Sequence, residues 1–208
     1  MFGDRFAEGA ERLVAGVLRI LGRHASKIDA LIAAGESDNI EFKSSLHHLY
    51  RPLPSGQLAK LERGKVRPQQ AQREARKWIQ IAVTKTIAAF LNTSGGTLLI
   101  GVDDSGTVLG IEPDFEYCRP GKQNADGWLL SLKDVIINAL GPDIWSAINV
   151  SLAPHKQKTV AVVRCPRRTS QTWHKGGGGE SFYIRALNTT QELTGRSLVR
   201  YIHEHWPE

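Results

Sequence analysis

The chain is poor in the residues that staple or anchor small proteins. It has two cysteines in 208 residues, Cys118 and Cys165, with no C-x-x-C spacing. That excludes a disulfide scaffold and a zinc ribbon and predicts two reduced thiols. No eighteen consecutive residues are apolar, and the stretch 14–21 is broken by Gly16 and Arg19, so no bilayer span is predicted. The first residues, MFGDRFAEG, carry acids early and show no cleavage-site pattern; a cytoplasmic protein without a membrane partner is expected. A G-x-x-x-x-G-K-[ST] motif is missing as well. The four glycines Gly176–Gly179 lack the Lys-Ser/Thr and helix that a phosphate loop requires, which argues against a nucleoside triphosphate site.

What is present is an ordinary core and an uneven charge. The chain is 41% hydrophobic and 23% charged with a net charge of +6, enough for one domain that favours phosphate-bearing partners. An N-terminal helical extension, residues 1–25, has an apolar stripe suited either to oligomerisation or to core packing. The main domain is expected over residues 26–208, starting with Ser26 as the N-cap of a short helix that ends at Gly35.

The stretch 91–111, LNTSGGTLLIGVDDSGTVLGI, organises the rest. Asn92-Thr-Ser-Gly-Gly96 is a helix stop, with glycines free to take positive φ. Residues 97–102 form an apolar run without alternation, the signature of a strand covered on both faces. Asp103-Asp104-Ser105-Gly106 reads as a turn and residues 107–111 as a returning strand, together a hairpin. A lone Asp in a turn is ordinary, but two adjacent ones at the end of a buried strand are less so.

Ile40 and Phe42 alternate with Glu41 and Lys43, the pattern of a half-buried strand. Glu36 and Glu41 are five residues apart, which no single regular element brings onto one face. The intervening Ser37-Asp38-Asn39 turn is able to, so both carboxylates are candidates to face a pocket holding a hard divalent cation. The alternative is a solvated loop acid and an exposed strand acid. Lys43, on the strand face of Glu41, is placed to touch a phosphate oxygen.

Residues 44–66, rich in Pro and Gly, read as a long loop, and residues 67–91 as a long helix kept going by Trp78, Ile81, Ala82, Ile87 and Phe90. From Arg51 to Lys85 the bases Arg51, Lys60, Arg63, Lys65, Arg67, Arg73, Arg76, Lys77 and Lys85 face only Glu62 and Glu74. This basic insert is either a solvated face or a nucleic-acid contact. A second amphipathic helix is expected over 126–140, a hairpin from strands 149–152 and 159–165, a basic edge at Arg167 and Arg168, a strand 181–185 ending in Arg185, and a closing helix 195–205. Hairpins and helices without strict βαβ alternation predict an α+β fold with a mixed β-sheet flanked by helices.

The segments GESDNIEFKSS, KTIAAFLNTSGGTLLIGVDDSGTVLGI, NADGW…LKDVIINALG and FYIRALNTTQEL together resemble the AlbA-type domain of the Schlafen family and its single-lobe bacterial relatives, from about Ser26 to the C-terminus. The resemblance implies an α+β, AlbA-like fold. In the nuclease members it implies a metal-dependent endoribonuclease centre, which falls here on Glu36, Glu41 and Asp104, with Asp103 as the adjacent candidate, holding Mg or Mn. Three carboxylates suit that chemistry, since the cation binds a scissile phosphate and acidifies a bound water. Two readings follow. One is an endoribonuclease acting on structured RNA such as tRNA, with phage defence as the expected setting. The other is a non-catalytic DNA- or RNA-binding module or transcriptional regulator. In either, Lys43, Arg63, Lys65, Arg67, Lys77, Lys85, Arg167, Arg168 and Arg185 are the candidate nucleic-acid contacts. Animal nuclease members pair two such lobes, so a homodimer is the expected partner arrangement. The zinc site of those relatives has no counterpart, because Cys118, Cys165, His155 and His174 lack ligand spacing.

Overall fold

The structure, a computed structural model, describes residues 27–52, 55–64, 67–176 and 179–207. The N-terminal extension, the Ser26 cap and Lys65 lie outside the described residues. Helix α1 (27–34) leads into β1 (Ile40–Lys43), then α2 (Ser55–Glu62), α3 (Pro68–Asn92) and β2 (Gly96–Ile100). A 3-10 turn (Glu112–Tyr117) precedes α4 (Ala125–Leu140) and α5 (Asp143–Ala147). The chain closes with β3 (Asn149–His155), β4 (Lys158–Cys165), β5 (Trp173–Gly176), β6 (Gly179–Ala186), β7 (Thr189–Leu193) and α6 (Gly195–His205).

Two sheets result, making the fold α+β. The first runs β1-β2-β4-β3, with β1 parallel to β2 and the other pairs antiparallel; the second is the antiparallel β5-β6-β7. Register explains why the apolar run in β2 needs no alternation. Leu98 and Ile100 sit beside Val163 and Ala161 against Val83, Ile87 and Phe90 of α3 and Trp128, Leu132 and Ile136 of α4. Leu99 sits beside Val162 on the opposite face, against Ile28 of α1 and Phe42. Leu98, Leu99 and Ile100 are fully buried, each worth about 1.5–3 kcal/mol relative to exposure.

Helix α3 begins with Pro68, where the missing N–H costs nothing, and stops at the paired glycines for two different reasons. Gly95 has φ +83, and a Cβ there would lie 2.7 Å from the Cys165 carbonyl oxygen. Gly96 has ordinary φ but abuts the Phe90 ring, where a Cβ would come within 2.4 Å. Asn92, just before them, is the clamp between the layers. Its Nδ2 donates to the Thr172 and Tyr183 carbonyls, its Oδ1 accepts from Thr172 N, and its own carbonyl accepts from the Tyr201 hydroxyl of α6.

Several sequence expectations are corrected. Residues 44–66 are not one loop, because α2 forms within them. The 103–106 hairpin shrinks to a single bridge, Val102 with Val108, because after Gly101 the backbone bends away: Leu109 and Gly110 donate to the Gly101 carbonyl and Ile111 pairs with Thr159 instead. Strands β5 and β7 are additional, and with β6 they make the second sheet. Among the described residues no helix is long and apolar enough to cross a membrane.

Candidate nucleic-acid interface

Strands β1 and β2 are parallel, so their C-terminal ends, Lys43 and Ile100, lie side by side. The two chains leave the sheet together there. Gly101 and Val102 N–H both donate to the Lys43 carbonyl, at 2.8 and 3.2 Å, and Gly101 holds φ +96, where a Cβ would lie 2.9 Å from the Gly110 carbonyl carbon. A crevice outside the carboxyl ends of parallel strands is where open α/β sheets place ligands.

The loop 44–52 that follows β1 hangs on one buried carboxylate. Asp114, 1% exposed, takes Leu46 N and Trp128 Nε1 on Oδ2 at 2.8 and 2.9 Å, and His47 N and His48 N on Oδ1 at 2.9 and 2.7 Å. A carboxylate with four donors satisfies the backbone of a turn that no strand or helix would otherwise satisfy. His47 is held between Ser131 Oγ at 2.8 Å and Gln80 Nε2 at 3.1 Å. Burial pushes its pKa down, against the opposing charge of Asp114, so it serves as a neutral bridge from the loop to α3 and α4.

Between this loop and α3 lies a cleft of about 410 Å³, with Lys43, His48, Tyr50, Arg51, Trp78 and Asp104 in its lining. Ala75, Trp78, Ile79 and Ala82 of α3 also line it, the i, i+3, i+4, i+7 stripe of one helix face. Trp78 is 61% and Tyr50 40% exposed. The Tyr50 ring meets His48 edge-on at 4.6 Å, and its phenol pKa is raised by burial and by the Asp114 and Glu112 charges. Arg51 Nη2 reaches Asp104 Oδ2 at 2.6 Å, with the two side chains 79% and 58% exposed.

The expected carboxylates are in separate hands. Glu36 Oε1 accepts from Phe42 N at 3.0 Å on the free edge of β1. Glu41 pairs through Oε1 with Lys43 Nζ and through Oε2 with Arg185 Nη1 at 2.9 Å. The second contact is ionic without an aligned hydrogen bond, and Nη1 also donates to Thr190 Oγ1 at 3.2 Å. Asp104 goes to Arg51, while Asp103 Oδ1 closes its own turn by accepting from Ser105 N, Ser105 Oγ and Thr107 N. The Ser105 hydroxyl first, then those backbone N–H groups, holds the Asp103 carboxyl below its usual range. Among the described residues, no three His, Cys, Asp or Glu side chains are grouped to hold a metal ion. With Glu41 facing two cations and Asp104 a third, the donor set as arranged does not fit a resident Mg or Mn.

The expected bases divide in the same way. Arg63, Arg67 and Lys77 are exposed, with Arg67 at the N-terminus of α3 and Lys77 one residue from Trp78. Lys85 lies over the Tyr183 ring at 4.8 Å. Arg167 donates to the His205 carbonyl of the C-terminal segment, and Arg168 pairs with Asp143 of α5 at 2.8 Å. Arg185, expected as a phosphate contact, is buried instead. It donates to the Ser37, Asp38 and Thr190 oxygens and lies 5.0 Å over Phe90, joining the second sheet to the loop before β1. Trp78, expected to sustain the core side of α3, faces solvent. Tyr50, Trp78 and Asp114 were missed as functional positions; the available signal for Trp78 was its place directly after Arg76 and Lys77.

The fold and this cleft define an α+β domain with a basic, aromatic crevice at the end of a parallel strand pair. The chain belongs to the Schlafen, AlbA_2 family, whose model matches residues 36–194. Among solved structures it is similar to the DIP2311 protein from Corynebacterium diphtheriae, with 12% identity, a TM-score of 0.49, and coverage of 90% of this chain and 33% of that one. The chain thus spans about a third of the length of that protein.

Proposed function

We propose that this domain binds nucleic acid, gripping phosphates with the exposed bases of α3 and its flanks, Arg63, Arg67, Arg73 and Lys77, and with Arg51 and Lys43 at the cleft. The observation that carries this reading is the cleft beside α3, where cations and exposed aromatic rings share one surface. Backbone contacts of this kind supply affinity without sequence choice, and they are strongly salt-dependent. The test is fluorescence anisotropy of labelled RNA and DNA against salt. Binding weakens with a log–log slope of about −0.9 per duplex phosphate contact, and Arg73→Gln or Lys77→Gln each reduces the slope by about one. Salt-independent binding, or none, overturns the reading.

A second reading is a Mg- or Mn-dependent endoribonuclease on structured RNA such as tRNA, with a role in phage defence. What supports it is Glu41 Oε2, buried without a directed hydrogen bond, on the strand whose free edge Glu36 occupies. Glu36, Glu41 and Asp104 would hold the cation only in a rearranged state in which Lys43 and Arg185 had released Glu41 and Arg51 had released Asp104, and the cation would then supply Lewis-acid chemistry to a phosphate. Cleavage of tRNA that needs Mn²⁺ and is lost in Glu36→Gln supports it; intact tRNA after incubation with either metal removes it. A homodimer presenting two such surfaces is the proposed assembly, read by light scattering after gel filtration.

A further inference from the structure

We infer, resting on the nucleic-acid reading above, that the cleft is a slot for an unpaired base, so that the domain selects single-stranded over duplex nucleic acid. Three observations converge on it. First, the wall of the cleft is an exposed tryptophan. Trp78 is 61% exposed on a helix whose neighbouring residues along the same stripe, Ala75 and Ala82, are small enough to leave a groove beside it. An indole left in water in the middle of a basic helix gains nothing for the fold, and a base is a flat partner for it.

Second, the opposite side brings Tyr50, braced edge-on by His48 at 4.6 Å, on a loop whose preceding residues are pinned by Asp114. Both aromatics are therefore presented from supported backbone rather than from loose chain. The cleft volume of about 410 Å³ lies in the range of small-ligand sites. It suits a nucleotide, whereas a duplex keeps its bases stacked on each other and offers no π-face.

Third, the phosphate positions are exchangeable. The Arg51–Asp104 pair is an exposed ion pair, 79% and 58% accessible, and such pairs contribute little. A phosphate can take Arg51 from Asp104 at small cost, gaining a planar guanidinium that binds phosphate oxygens in pairs. Lys43 lines the same cleft.

The experiment compares four probes in the intact protein: rU12, dT12, an abasic dodecamer with the same phosphates, and a 12-base-pair duplex. Trp78→Ala weakens rU12 and dT12 by about 5- to 150-fold, the effect of losing one stacked base, and leaves duplex and abasic binding within twofold. Trp78→Phe retains most of the single-strand affinity, and wild-type fluorescence minus that of Trp78→Phe shows quenching by dT12 but not by the abasic probe. A drop of dT12 binding in Tyr50→Ala with duplex binding kept adds the second wall. If wild type binds all four probes with ordinary salt dependence but Trp78→Ala changes none, or changes all equally, the base slot is wrong while the nucleic-acid reading stands. If wild type binds none of the four, both fall. A circular dichroism spectrum and melt matching wild type show that the exposed Trp78 variants remain folded.

Discussion

Asp114→Ala removes the acceptor of four hydrogen bonds at once. The three backbone N–H groups of Leu46, His47 and His48 and the Trp128 indole N–H lie within 2.7–2.9 Å of its oxygens, in a place where Leu46 and Trp128 are fully buried. Each buried donor left unpaired costs about 1–3 kcal/mol. Taking the low end for all four gives about 4 kcal/mol, and for a chain of this length that lowers Tm by about 8–16 °C. Asp114→Asn separates charge and size from hydrogen bonding. Its single carbonyl oxygen keeps two donors while the amide NH2 meets the other two head-on, so it also loses several kcal/mol despite an unchanged volume. Urea denaturation followed by tryptophan fluorescence measures both variants. A loss below about 1 kcal/mol in either would refute the assignment of this carboxylate as the anchor of loop 44–52. A folded Asp114→Asn protein should also bind dT12 more weakly than wild type, because Tyr50 and Arg51 extend from the loop it releases.

Arg185→Met strands Glu41 beside Lys43 alone and costs about 3–5 kcal/mol, as breaking a buried pair does, whereas Arg185→Met with Glu41→Met recovers part of the loss; denaturant midpoints of the single and double variants decide, and strict additivity would deny the coupling. Stability falls as pH drops below about 6.5. Burial lowers the His47 and His174 pKa values, assisted at His174 by the Lys85 charge and opposed at His47 by Asp114. The unfolded chain therefore takes up protons first, and the stabilisation present above the unfolded pKa is lost down through the folded one. Melts at pH 7.5 and 5.5 should differ less in His174→Gln than in wild type. Cys165 is buried, its pKa pushed up by desolvation, and Cys118 is nearly so. Neither should react with iodoacetamide at pH 8 until denaturant is added, and rapid labelling of the native protein would contradict their placement.

Much of the fold was legible because its strongest signals are local. The alternation-free run in β2, the stops at Gly35, Gly95 and Gly141, and the helices α3, α4 and α6 all follow from spacing and turn chemistry that neighbouring residues dictate. The second sheet was only partly legible. β5 and β7 are short and polar, and β6 holds them in place while Asn92 fixes the whole layer from ninety residues away. Asp114 was invisible for the same reason. Nothing in EPDFEY distinguishes an acid that solvates from one that collects the N–H groups of a loop 66 to 68 positions earlier. Trp78 misled because its helical spacing is compatible with the core stripe. Which face of α3 is covered depends on where loop 44–52 lies, and that loop lies where Asp114 pins it.

The same geometry sets the order in which the charged groups of this surface can be recruited. Arg185 is locked between two sheets by carbonyl oxygens as well as by Glu41, so withdrawing it breaks the junction of the layers. Arg51 and Asp104 are joined only through solvent-exposed atoms, and exchange there costs little. Lys43 stands between these extremes, half-buried, bonded to Glu41 and to the Phe42 carbonyl. An incoming phosphate therefore meets Arg51 first and competes with Glu41 for Lys43 second. A cation at Glu41 would enter beside two positive charges unless that phosphate had already drawn Lys43 away. On the metal-dependent reading alone, Mn²⁺ affinity is measurably higher when dT12 occupies the cleft than in the free protein, and equal affinities in the two states refute that reading.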